Sequence, residues 1–229
     1  MAEVDKLNLA PNTATQVVVG QRVVAEINCV PECSGCRNYH ERAQHPGRTA
    51  LGIFGSDGAF AEFVAVPIEN IHMVPEALTD DQAMFAEPLA AACQISQQIH
   101  IQSSDRCAVV GTGKLGVLIA QVLSNMGGVV TAAGRREANF AFLQAQGITT
   151  ALVSDLLDQK LLFDVVVDCT GNEEGFATAL ALTRPTGTLV LKSTFAGKTS
   201  ADLTQVVVNE IKLVGSRYVV PFPLHLFPC

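Results

Sequence analysis

The second half of the chain alternates short apolar runs with segments of helical spacing. Residues 107–110 are apolar, and after a glycine-rich turn apolar residues recur at helical intervals in 114–126. The same pattern predicts helices at 137–146 and 175–182 and further strands at 129–132, 149–153, 163–168, 188–191 and 211–214. Because strands that alternate with helices form parallel sheets, the pattern predicts an α/β fold with a doubly wound sheet.

The first part of the chain is predicted to be mostly β-structure. Residues 20–28 and 58–67 have the pattern of strands, and 68–74 is predicted to be one more short strand. From Thr79 the composition becomes helical as far as Ile99, and Pro88 is expected to divide this run into two helices. We therefore predict two domains, covering residues 1–78 and 79–229.

Composition narrows the class of protein. The 229 residues are 48% hydrophobic and 16% charged, with a mean hydropathy of +0.30, which describes a globular chain. A net charge of −7 argues against nucleic acid as a partner. There is no run of about 20 apolar residues and no signal peptide after Met1, so we expect a cytoplasmic protein without a membrane partner. The seven cysteines are expected to be reduced thiols or metal ligands.

The turn after the strand at 107–110 has the sequence Gly111-Thr112-Gly113-Lys114-Leu115-Gly116. Gly111 would permit the tight turn, Gly113 would let the backbone approach a pyrophosphate, and Gly116 would let the helix pack closely. The N–H groups at the helix start, from Lys114 and Leu115 onward, would face the phosphates. Strand, glycine turn and helix in this order predict a dinucleotide site.

The residues after the second strand indicate which dinucleotide is bound. About 20 residues beyond the glycine turn, an NAD site places Asp or Glu on the ribose. Here the sequence is Ala133-Gly134-Arg135-Arg136, and two guanidinium groups suit a 2′-phosphate. The pattern favours NADP over NAD, and the alternative is that both arginines belong to a solvated helix start.

A third segment lies where ligands bind in such sheets. Residues 168–172 follow the strand at 163–168, at its carboxyl end, and we place Thr170 among the cofactor-binding residues. Asp168 either faces the cofactor, caps the next helix or makes the hydrogen bonds of the turn.

Cysteines are concentrated near the end of the first strand. Cys29, Cys33 and Cys36 lie within eight residues, and His40 and His45 follow them. Thiolates and imidazole are the ligands of structural zinc, so Cys29, Cys33, Cys36 and His45 are a candidate set. The irregular spacing leaves open that these are thiols of an ordinary loop.

Together these motifs resemble the zinc-type medium-chain alcohol dehydrogenases, and among them the threonine and sorbitol dehydrogenase-like members. The resemblance extends over residues 20–217, with its motifs at 21–28, 57–63, 87–92, 111–116, 163–171, 187–192 and 215–217. It implies a partial GroES-like β domain in 1–78 with a cysteine-rich lobe, followed by a Rossmann domain.

The resemblance also implies a chemistry. A catalytic zinc would polarise the oxygen of an alcohol or carbonyl substrate while a hydride passes to or from the nicotinamide. Glu87 occupies the position that lies on or near this zinc, so we assign it as a catalytic and metal residue; a helix-start carboxylate is the alternative. The region at 206–214 could supply an edge strand to a homodimer.

Some features depart from the family. Its upstream zinc-ligand cysteine and Gly-His-Glu segment do not occur here, and His45 stands near the place of the fourth lobe cysteine. We therefore expect a member truncated at both ends. Two other functions stay open: a non-catalytic nucleotide-binding remnant, and a zinc-free reductase of enones or quinones.

Overall fold

The computed structural model describes residues 2–6, 16–30, 44–160, 162–194 and 203–217. The chain divides into two compact units, one within Met1–Ala90 and the other within Ala91–Arg217. Within the described ranges, no helix combines the length and apolar character that a membrane crossing requires.

The first unit is built on short antiparallel strands. These are β1 (Ala2–Glu3), β2 (Arg22–Ala25), β3 (Asn28–Cys29), β4 (Thr49–Ala50) and β5 (Ile71–Met73). One sheet has the order β1-β2-β5, and β3 pairs with β4. Val4, Val17 and Val23 form a small core against Ile68 and Ile71. The strands predicted at 20–28 and 68–74 are therefore present, although each is shorter than predicted.

Asn70 joins the segments of this unit through its buried side chain. Its Nδ2 donates to the carbonyl oxygens of Glu26 at 3.1 Å and Asn28 at 2.8 Å. Beside it, an oxygen of the buried Glu26 carboxylate lies 2.8 Å from Nε2 of His72. Since unpaired polar groups are costly in a protein interior, Asn70 stabilises the chain between β2 and β3.

The prediction of a strand at 58–67 is wrong. These residues form no ladder with any other described segment, and Phe60 and Phe63 are exposed. Alternating apolar residues become a strand only where a neighbouring strand accepts their backbone hydrogen bonds.

Two helices follow, α1 (Asp80–Ala83) and α2 (Ala86–Gln98), as predicted. Thr79 caps α1, since its hydroxyl accepts a hydrogen bond from the Gln82 N–H at 3.3 Å. The predicted site of the break is wrong, because the helices separate before Ala86. Pro88 lies in the first turn of α2, where a missing N–H removes no helical hydrogen bond.

The second unit is a six-stranded parallel sheet with helices between the strands. Its strands are β6 (Arg106–Val110), β7 (Val129–Gly134), β8 (Thr149–Leu152), β9 (Phe163–Asp168), β10 (Thr183–Leu191) and β11 (Lys212–Gly215). Its helices are α3 (Lys114–Asn125), α4 (Phe140–Ala145), α5 (Val153–Asp158), α6 (Glu173–Leu182) and α7 (Thr204–Val208). The order β11-β10-β9-β6-β7-β8 confirms the predicted doubly wound sheet.

The middle of this sheet is the core of the unit. Val109, Val166, Val167 and Val190 have no exposed surface, and the face that carries Val166 packs against Phe176 of α6. The chain runs from β6 to β7 on one side, while β9 lies on the other side of β6. Loops that leave β6 and β9 therefore diverge, and a crevice opens at the carboxyl ends of these strands.

Two boundaries differ from the prediction. Helix α4 begins at Phe140 rather than at 137, because Asn139 has a left-handed backbone with φ of 67°. Strand β10 begins at Thr183 rather than at 188, and its register shifts where Thr186 has φ of 62°.

Asp164 links the amino ends of three strands, β6, β9 and β10, by hydrogen bonds. Its Oδ1 accepts a hydrogen bond from Nε of Arg184 at 2.5 Å, and its Oδ2 accepts one from the Arg106 N–H at 2.8 Å. Burial acts to raise the pKa of this carboxyl, but these two donors outweigh burial and hold its pKa below the ordinary value.

Candidate functional site

The turn between β6 and α3 depends on glycine at two positions. Gly111 has φ of 105°, and a Cβ there would lie 3.2 Å from the carbonyl group of Cys169. Gly116 packs so closely that a Cβ would collide with the carbonyl oxygen of Gly111. At Gly113 a Cβ would meet no described atom within 4 Å. Two glycines therefore allow the turn to form, and the third has open space in front of it.

The start of α3 presents backbone donors without a side-chain acceptor. Gly113 is the N-cap, no side chain caps the helix, and the first turn contains no acidic residue. The first N–H groups of a helix have no partner within it, and the peptide dipoles make this end positive. Lys114 is exposed and Leu115 is half-buried, and neither lines the cleft beside the turn. Lys114 and Leu115 would therefore contact an anion through the backbone N–H groups at the helix start.

A cleft of about 340 Å³ lies over the crevice at the carboxyl ends of the sheet. Its lining comes from the glycine turn, the loop after β7, and the segment between β9 and α6. The predicted cofactor-binding residues that the structure brings together here are Gly111, Gly113, Arg135, Arg136 and Thr170. Gly116 lies behind this lining, because it packs against the turn.

The residue at the end of β7, Gly134, is crowded by its neighbours. A Cβ at Gly134 would lie 2.8 Å from the carbonyl oxygen of Arg136 and 2.8 Å from Oγ1 of Thr112. The next two residues, Arg135 and Arg136, are exposed and line the cleft. This end of the cleft therefore carries two guanidinium groups and one carboxylate, that of Glu174, and a side chain at position 134 would be crowded.

Asn139 is a residue of this site that the sequence did not single out. Its Nδ2 donates to the Thr112 carbonyl oxygen at 2.8 Å, so it ties the loop after β7 to the glycine turn. Its left-handed backbone is one that asparagine tolerates better than most residues. An asparagine just before a helical pattern is the available signal, but its link to Thr112 depends on the fold.

The opposite wall is fixed by Asp168. This side chain is fully buried, and its Oδ1 accepts from the Thr170 N–H at 2.9 Å and from the Thr170 hydroxyl at 2.7 Å. The α6 helix is capped instead by Asn172, whose side chain accepts from the Gly175 N–H at 2.9 Å. Asp168 is thus neither in the lining nor a helix cap. It makes the hydrogen bonds of the turn, the third alternative, and these bonds hold Thr170 in place at the cleft.

The thiol at the cleft is neutral. Burial raises the pKa of Cys169 well above its ordinary value, and the Asp168 carboxylate raises it further, while Lys192 opposes the shift. Burial likewise raises the pKa of Cys107, to about 12. Since a thiolate is the nucleophilic form of cysteine, a raised pKa disfavours a nucleophilic role for either thiol.

The predicted metal ligands are not assembled by the described residues. Glu87 is half-buried in the first turn of α2, Cys29 is half-buried in β3, and Nδ1 of His45 accepts from the Gly47 N–H at 2.9 Å. Cys33 and Cys36 lie outside the described residues. Among those that are described, no three His, Cys, Asp or Glu side chains form a group that could hold a metal ion. The zinc assignments stay predictions.

The sheet order and the glycine turn define a protein of the Rossmann class. Comparison with known families agrees: a model described as zinc-binding dehydrogenase matches residues 115–223, and one described as alcohol dehydrogenase GroES-like domain matches residues 1–76. The chain belongs to the zinc-type medium-chain alcohol dehydrogenase family.

Similar proteins cover most of this chain. L-threonine 3-dehydrogenase of Anaeromyxobacter sp. strain K is 29% identical over 86% of the chain, and sorbitol dehydrogenase of Halalkalibacterium halodurans is 29% identical over 89%. A zinc-binding dehydrogenase structure from Sinorhizobium meliloti, bound to NADP, superposes with a TM-score of 0.78 at 24% identity and covers 91% of the chain. The chain spans 59%, 63% and 65% of the lengths of these three proteins.

Proposed function

We propose that this protein is an NAD(P)-dependent oxidoreductase that transfers a hydride between an alcohol or polyol and nicotinamide, with NADP as the preferred cofactor. The observation that carries the proposal is the cationic cleft at the switch point of the sheet, where Arg135 and Arg136 stand beside an open helix start. The named relatives act on threonine and sorbitol, and a related structure holds NADP.

The pyrophosphate is assigned to the space in front of Gly113. An anion there would accept hydrogen bonds from the free N–H groups at the start of α3 and would lie at the positive end of the helix. A side chain at position 113 would project into this space, which accounts for the glycine.

The 2′-phosphate is assigned to Arg135 and Arg136. Guanidinium groups bind phosphate through paired hydrogen bonds, and a carboxylate at this place would repel it. The crowding at Gly134 supports NADP over NAD, because the acidic residue that recognises the 2′-hydroxyl has no room there.

Bound nicotinamide would supply the hydride chemistry, and the carbinol carbon of the substrate would be its partner. Glu87 remains the proposed catalytic and metal residue, on the basis of its family position. Cys29, Cys33, Cys36 and His45 remain the candidate ligands of a structural zinc. No step is assigned to zinc, because the described donors do not form a set.

A homodimer is proposed through β11. This strand ends the sheet order and is largely exposed, and the neighbouring α7 exposes Val207 and Val208. Light scattering after size-exclusion chromatography should report twice the mass of one chain; a monomer at all concentrations would reject the dimer.

The thiols of Cys29, Cys93, Cys107 and Cys169 are free, which is in keeping with a cytoplasmic protein.

The function is tested by titrating the purified chain with NADPH and, in parallel, NADH. The chain has no tryptophan, so the emission of the reduced cofactor itself is followed. We expect saturable binding with NADPH the tighter ligand, and zinc is measured on the same sample. Binding of neither nucleotide would overturn the proposal, and binding without turnover of alcohols would favour a non-catalytic nucleotide-binding protein. Metal-independent reduction of a quinone or enone would favour a zinc-free reductase.

A further inference from the structure

We propose that Glu174 determines how strongly this cleft discriminates between dinucleotides with and without a 2′-phosphate. In the structure the Glu174 carboxylate forms an ion pair with Arg135. A 2′-phosphate that binds Arg135 must therefore compete with this carboxylate. This inference rests on the proposed function, because it concerns the same cleft.

The two side chains come from opposite walls. Arg135 follows β7, and Glu174 lies in the first turn of α6; both line the cleft. Nη1 of Arg135 is 3.6 Å from Oε2 of Glu174, and the side chains are 72% and 76% exposed. The ion pair therefore spans the cleft at its solvent side, where an arriving ligand can displace it.

The carboxylate is held at this place by the local fold. Glu174 lies in the first turn of a ten-residue helix, whose dipole favours a negative charge there. Asn172 fixes the helix start by its bond with the Gly175 N–H. A negative charge at this helix start is therefore favoured whether or not Arg135 pairs with it.

This arrangement affects the two dinucleotides differently. A 2′-phosphate carries between one and two negative charges, so it loses affinity both by displacing Glu174 and by lying near it. An unmodified ribose brings hydroxyl groups, which a carboxylate does not repel. Because both side chains are exposed, the effect on the affinity for a 2′-phosphate should be about two- to fivefold, and salt should reduce it.

The test compares E174Q with E173Q. Glu173 is exposed on the same helical turn but is not part of the cleft lining, so it controls for the lost charge. Calorimetry measures the binding of 2′,5′-ADP, which carries one phosphate on the 2′ oxygen and one on the 5′ oxygen, and of 5′-AMP, which has the same 5′-phosphate and lacks the 2′-phosphate. Both ligands probe only the adenosine end of the site.

We expect E174Q to tighten 2′,5′-ADP binding about two- to fivefold at low salt, with 5′-AMP binding unchanged, and E173Q to leave the ratio of the two affinities unchanged. An equal gain for both ligands, or no gain for 2′,5′-ADP, would overturn the inference. Weaker 5′-AMP binding by E174Q would also overturn it, because Glu174 would then be a ligand of the ribose. If the wild-type chain binds neither compound, the proposed function fails as well.

Discussion

A methyl group added at Gly113 should act differently from one added at Gly116, although the two glycines lie in one turn. The Gly113→Ala variant should keep the stability of the wild type and lose nucleotide binding. The Gly116→Ala variant should lose stability. The contrast separates a glycine that the ligand requires from one that the fold requires.

The magnitudes follow from the surroundings of each glycine. At Gly116 the new Cβ would collide with the carbonyl oxygen of Gly111. Because neither atom can move by a side-chain rotation, the helix start or the turn must shift. Such overpacking typically costs about 1–3 kcal/mol in the free energy of unfolding. Gly113 has φ of −75° and nothing within 4 Å of its Cβ position, so its substitution should change stability by about 0.5 kcal/mol or less.

The loss of binding at Gly113 has a separate origin. The methyl group would stand where the pyrophosphate approaches the N–H groups of α3, and a hydrogen bond to a charged group contributes about 1.5–3 kcal/mol. One lost bond therefore corresponds to about a ten- to hundredfold weaker Kd for NADPH.

Urea denaturation and NADPH titration on the same two preparations give both quantities. If Gly113→Ala unfolded as readily as Gly116→Ala, or bound NADPH as tightly as the wild type, the two glycines would not have these separate roles.

Three further outcomes are expected. Arg136→Gln should weaken NADPH binding about tenfold and NADH binding far less, as measured by the same titration. The control variant Arg106→Gln, at the opposite edge of the sheet, should change neither affinity. Equal losses for both cofactors would contradict the assignment of the 2′-phosphate to this arginine. Asn70→Ala should lower the free energy of unfolding by about 1–3 kcal/mol, because two buried carbonyl oxygens lose their donor, and an unchanged urea midpoint would refute this role. The pKa of Asp164 is depressed in the folded state, so its carboxylate stabilises the fold above about pH 4 and that contribution is lost as the pH falls; Asp164→Asn should flatten the acid limb of the stability profile, and an unchanged slope would count against it.

The sequence predicted the sheet of the second unit well, because its signals are local. Buried parallel strands are apolar along their whole length, as at 107–110, and glycine or asparagine marks the turns between them. Gly111 and Gly116 could be assigned from the same turn, since Gly111 has a positive φ and Gly116 packs against the carbonyl group of Gly111.

Other features depend on contacts far along the chain. The segment at 58–67 has a strand-like pattern, but a strand also needs a partner, and periodicity contains no information about one. The bond from Asn139 to Thr112 joins positions 27 residues apart, and the crowding of Gly134 comes from residues on both of its sides. The ion pair of Arg135 with Glu174 likewise exists only because two loops meet over the sheet.

The most direct test of the central assignment is amide hydrogen exchange with and without NADPH. Free N–H groups at a helix start exchange quickly, and they exchange slowly once an anion accepts hydrogen bonds from them. The account predicts that NADPH slows exchange at 113–117 and at 134–139. Binding that protects neither segment would contradict the assignment of this cleft as the cofactor site.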